Sequence, residues 1–101
     1  MTSPTSSGAL EAVERILNRG GEPEDVLHQV VEALHERTGA WVAIAFGSEA
    51  GPHAGGEQPD QHQRHPITWQ GRTVAELWTS AEADTALCAR VALIVSPYCH
   101  P

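Results

Sequence analysis

The sequence predicts an α+β domain, a central antiparallel sheet of three or four strands with two N-terminal helices and a C-terminal helix packed on one face. Three observations predict it. The first forty residues carry apolar side chains at helical spacing, residues 64–79 alternate around a Gln-Gly pair, and the last twenty return to helical spacing. A chain of 101 residues, 41% hydrophobic and 19% charged, has room for one core and the composition of a globular protein.

Residues 1–7, rich in Ser, Thr and Pro, read as a flexible lead-in, residues 8–98 as the domain and 99–101 as a tail. A helix is expected over about 8–19: Ser7 or Gly8 caps it, Leu10, Val13, Ile16 and Leu17 form its stripe, and Gly20-Gly21 ends it. The second, over about 23–37, is better signed. Pro23 suits a first helical position, Glu24 and Asp25 complement the helix dipole, and Leu27, Val30, Val31 and Leu34 share one face. Gly39 closes it, with His35 and Arg37 in the last turn.

AWVAIAF, residues 40–46, has no charge on either face and reads as a central strand buried on both sides. Residues 47–64, with four glycines, two prolines and a string of polar side chains, read as a long surface loop, with a short strand possible over 50–54. A hairpin follows, with strands at about 64–70 and 72–79 and Gln70-Gly71 as its loop. A two-residue loop pairs Trp69 with Arg72, Thr68 with Thr73 and Ile67 with Val74. Ile67, Trp69, Val74, Glu76 and Trp78 then share one face, and Ala75 and Leu77 the other. The last helix, about 81–96, starts at Ser80 or Asp84, runs through Leu87, Val91, Ile94 and Val95, and stops at Pro97.

Composition excludes several classes of function. Six basic against thirteen acidic residues give a net charge of -7, which repels nucleic acid and anionic membranes alike. Apolar runs such as Val91–Val95 are too short to span a bilayer, and the start lacks a signal-peptide pattern. Two cysteines fit a reducing, cytoplasmic setting: Cys88 reads as a small buried side chain, and Cys99, near the chain end, as an exposed thiol.

The succession of elements carried by VLHQVVEALHERTGAWVAIAF, PITWQGRTVAEL and ADTALCARVALIVSPY resembles the GAF domain over roughly residues 8–98. The resemblance implies an antiparallel sheet with terminal helices on one face and a small-molecule pocket on the other, in a bacterial signalling module that senses ligands or dimerises. The family places further strands and a pocket-closing helix where this chain has about eighteen Gly-rich polar residues. A full cyclic-nucleotide or chromophore pocket is therefore not expected.

No catalytic motif emerges. Ser48, Ser80 and Ser96 lie in no nucleophile elbow, and the glycines of residues 47–56 precede neither GK[ST] nor a helix start. Non-enzymatic function without a cofactor is the expectation. His28, Glu32 and His35 share a helix face, best explained as solvated. His53, His62 and His65 form a second cluster, read as incidental loop histidines or, as the alternative function, a weak metal site. The residues expected to act are Ile67, Trp69, Val74, Glu76 and Trp78, as a ligand floor or, the version favoured because the pocket-closing helix is missing, a homodimer interface. The alternative is that the loop folds over the indoles and buries them as ordinary core.

Overall fold

A computed structural model describes residues 4–47 and 49–99. Residues 1–3 of the expected lead-in, Ser48 and residues 100–101 of the tail lie outside the described residues. The element order is α1 (Pro4–Arg19), α2 (Pro23–Thr38), β1 (Val42–Phe46), β2 (Glu49–Ala54), β3 (His62–Trp69), β4 (Arg72–Ser80), α3 (Thr85–Ile94) and α4 (Ser96–Cys99). The strands form one antiparallel sheet in the order β2-β1-β4-β3. The α+β class and the antiparallel sheet read from the sequence are those of the molecule.

The helices lie on one sheet face because each presents one apolar stripe. Ala9, Val13 and Ile16 of α1, Val26, Val30, Val31 and Leu34 of α2, and Leu87, Cys88 and Val91 of α3 join Val42, Ile44, Ile67, Ala75 and Leu77 of the sheet in one buried cluster. Tyr98 ties the two ends of the chain together, its hydroxyl donating to the Leu17 carbonyl at 3.0 Å. No helix among the described residues is long and apolar enough to cross a membrane.

Element ends differ from expectation where a local group intervenes. α1 starts at Pro4, ahead of Ser7 and Gly8. Of the two caps expected for the last helix, Asp84 is the one used, so α3 starts at Thr85: Asp84 Oδ1 accepts from the backbone N–H groups of Ala86 and Leu87 at 3.0 and 3.2 Å. Asp84→Ala is expected to cost about 1 kcal/mol, read as a melting midpoint roughly 4–8 °C lower. Pro97 does not stop regular structure: it sits at the start of α4, where its missing N–H costs nothing. Cys99 is buried, not exposed, and burial pushes its thiol up to about 11. The Cys88 thiol is also raised by burial, against a hydrogen bond to Thr79 Oγ1.

The segment expected as a long loop holds the short strand allowed for over 50–54, and holds it as a full member of the sheet. β2 occupies 49–54 and β3 begins at His62, so only 55–61 connect them. β2 is bulged: Ala43 pairs with His53 and Ala45 with Ala50, so Gly51 and Pro52 together oppose Ile44. The bulge needs glycine, because a Cβ on Gly51 would lie 2.2 Å from the Ile44 carbonyl oxygen. Each edge strand carries a proline, Pro52 in β2 and Pro66 in β3, which removes a donor from that edge.

The hairpin turns as expected on Gln70 and Gly71, both at positive φ (52° and 81°), as a two-residue turn matched to strand twist requires. Trp69 pairs with Arg72 and Thr68 with Thr73, but Ile67 pairs with Ala75, leaving Val74 as an extra residue in β4. One inserted residue moves everything beyond it to the other face. Ile67 therefore turns toward the helices and is fully buried there, and Val74 packs against the same core. The shared face expected for Ile67, Trp69, Val74, Glu76 and Trp78 is corrected to Glu76 and Trp78.

Candidate functional site

The sheet face away from the helices is built on β1 and β4. β1 alternates large residues on the helical side, Val42 and Ile44, with small ones on the reverse, Ala43 and Ala45. Trp41 precedes the strand and is held at two points: its N–H donates to Ser80 Oγ at 2.7 Å and its carbonyl accepts from the Ser80 N–H at 3.0 Å. Ala43 pairs directly with Trp78 of β4. Two indoles thus flank a floor of alanines, and the missing side-chain volume is open space.

That space is a cleft of about 400 Å³, lined by Trp41, Ala43, Ala45 and Trp78 below and by Gly47, Gly51, His53, Gly56 and Gln58 at the rim. The rim comes from the end of β1, from β2 and from the 55–61 connection. No carboxylate, ammonium or guanidinium is among the lining side chains. No protein-family model, curated protein or solved structure matches this chain. The cleft therefore speaks through its own chemistry.

Around Trp78 the side chains form a stacked group. The His62 ring lies 5.0 Å from the Trp78 indole at 27° and meets Trp41 edge-on at 6.1 Å and 69°. The Arg64 guanidinium sits 4.4 Å over the Trp78 ring, directly across the β3·β4 ladder, a favourable cation–π position. Trp78 Nε1–H donates to Glu76 Oε1 at 3.1 Å, so Glu76 orients the indole from two residues along the same face. Gln63 fixes the start of β3, its Nε2 donating to the Ala81 and Ala83 carbonyls at 2.9 and 2.8 Å while Thr85 Oγ1 donates to its Oε1 at 3.0 Å. That clamp sets where His62 emerges.

Of the residues expected to act, Trp78 lines the cleft and Glu76 supports it. Ile67 and Val74 belong to the helical core. Trp69, at the hairpin end, leaves β3 on the same side as Ile67 by strand alternation and does not line the cleft. Trp41, Ala43, Ala45, Gly51 and Gln58 were missed. Alternation of large and small residues within WVAIAF was the available signal for the first three.

The histidines are strand residues rather than loop residues. His53 lies in β2 at the cleft rim, and His62 and His65, three apart in β3, project to opposite faces. His28 and Glu32 pair on the α2 surface at 3.0 Å, while His35 Nδ1 turns away to the Ala40 carbonyl region at 2.9 Å. No group of three His, Cys, Asp or Glu among the described residues could hold a metal ion.

Proposed function

We propose that this chain is a shortened GAF-like regulatory module that binds a small, flat, apolar molecule in the cleft over Trp41, Ala43, Ala45 and Trp78, in a reducing cytoplasm, without catalysis. The observation that carries the reading is an indole-and-alanine floor under a cleft of about 400 Å³. Ligand sites in proteins are typically concave, mostly apolar and about 300–1,000 Å³. Two free, buried cysteines suit the reducing setting.

Homodimerisation through this face ranks second. Residues of β2 and of 55–61 line the cleft on this face, and a proline in each edge strand works against edge-to-edge pairing.

Indole is a suitable probe, because the three tryptophan Nε1–H signals report separately in a proton–nitrogen correlation spectrum. Titration with indole is expected to shift the Trp41 and Trp78 signals and leave Trp69 in place, with Trp78→Ala weakening binding at least tenfold. Movement of Trp69 alone, or of none of the three at millimolar indole, would overturn the reading, and concentration-dependent light scattering in its place would favour the dimer.

A further inference from the structure

We infer that His62 is a proton-operated latch on Trp78, a residue of the cleft lining: when the imidazole takes a second proton, Arg64 leaves the indole. In the latched state the Arg64 guanidinium lies 4.4 Å over the Trp78 ring and its Nε donates to His62 Nε2 at 3.2 Å. A guanidinium only donates, so Nε2 accepts and the one proton of the neutral ring sits on Nδ1. The His62 ring stacks on the same indole at 5.0 Å and 27°.

A second proton therefore goes to Nε2. It turns the acceptor into a donor facing a donor, and sets two positive charges side by side against one indole. One of them must move, and they are held unequally. His62 has Nδ1 shut away from water and its ring in contact with both Trp41 and Trp78. Arg64 is exposed, and among the described residues no carboxylate pairs with it. Arg64 is the one that leaves, water takes its place at Nε2, and the imidazolium becomes the cation at the indole.

Few other ionisable groups face this cluster. From β4 comes Glu76, which accepts from Trp78 Nε1–H at 3.1 Å. The chain ahead of β1 contributes Trp41, a ring without a charge. On β3 itself, His65 is turned to the other face, where its Nε2 donates to Gln63 Oε1 at 3.0 Å.

The test is a proton NMR titration of the ligand-free protein from about pH 8 to 5, the range in which imidazoles change charge. Arg64 side-chain protons over an indole face are displaced upfield by its ring current. That displacement is expected to be lost as pH falls, with the same midpoint as the His62 ring protons, while the Ile67 and Leu77 methyl signals stay in place. His62→Phe keeps a ring between the indoles and takes up no proton, so the Arg64 signals should become independent of pH. Glu76→Gln still offers Trp78 Nε1–H an oxygen and should leave the response intact. Arg64 signals that stay put in the parent, a response that persists in His62→Phe, or one that vanishes in Glu76→Gln overturns the latch. So does an Arg64 response that comes only with movement of the core methyl signals, which is unfolding. Because no ligand is present, the latch and the cleft stand or fall separately.

Discussion

Leu77→Ala is expected to lower stability by about 2–5 kcal/mol, a drop of more than about 10 °C in melting midpoint, while leaving indole binding within about threefold of the parent. Leu77 is fully buried in β4, between Ile44 of β1 and His65 of β3, and faces the helical layer. Its truncation opens a void among α-helical side chains that cannot collapse without moving three elements. Trp78, the next residue along the strand, faces the cleft and is only partly buried. Trp78→Ala should therefore have the opposite profile, a smaller loss of stability with loss of binding. Adjacent residues with opposed effects would locate the two faces of the sheet. Chemical denaturation and the indole titration on both variants decide it. Should Leu77→Ala abolish binding while Trp78→Ala unfolds the chain, the assignment of faces is reversed.

How far this was legible in the sequence depends on the kind of signal. α2 announces itself through Pro23, the acidic first turn and the stripe from Leu27 to Leu34, all local features that tertiary contacts then reinforce. Ala75 and Leu77 were correctly turned to the helices because β4 alternates from Ala75 to Thr79, past the bulge. Ile67 was not, because a single inserted residue at Val74 inverts the face of its partner strand, and nothing in the composition of ITWQGRTVA marks a bulge. β2 was legible only as a possible short strand over 50–54: EAGPHA has a glycine and a proline where a strand should have β-branched residues. Its place is set by β1 beside it and by the close approach of Gly51 to Ile44, both tertiary facts. The cleft was missed for the same reason. Trp41, Ala43 and Ala45 look like buried core when the strand is read alone, and become a floor only once β2 and the 55–61 connection are laid over them as a rim.

Gly51→Ala is expected to be the most damaging single-methyl addition in the sheet, and to act on the cleft as well as on stability. The added Cβ would sit 2.2 Å from the Ile44 carbonyl oxygen and 2.9 Å from Phe46 Cε2. Phe46 could rotate away; the Ile44 oxygen belongs to the backbone of β1 and cannot yield without that strand shifting. The bulge must therefore open, at a cost toward the upper end of the 1–3 kcal/mol typical of overpacking, about 3 kcal/mol. Because β2 is an edge strand, its detachment is a cheaper escape than global unfolding. Hydrogen exchange should then show lost protection in β2 and in the β1 amides that face it, with the helices and the β3·β4 hairpin still protected. Gly51 also lines the rim, so a detached β2 widens the cleft and indole binding should weaken by an order of magnitude or more. A Gly51→Ala protein that melts within a degree or two of the parent, with β2 amides protected and indole bound as before, would mean that β2 does not make this close approach, and the rim that defines the cleft would go with it.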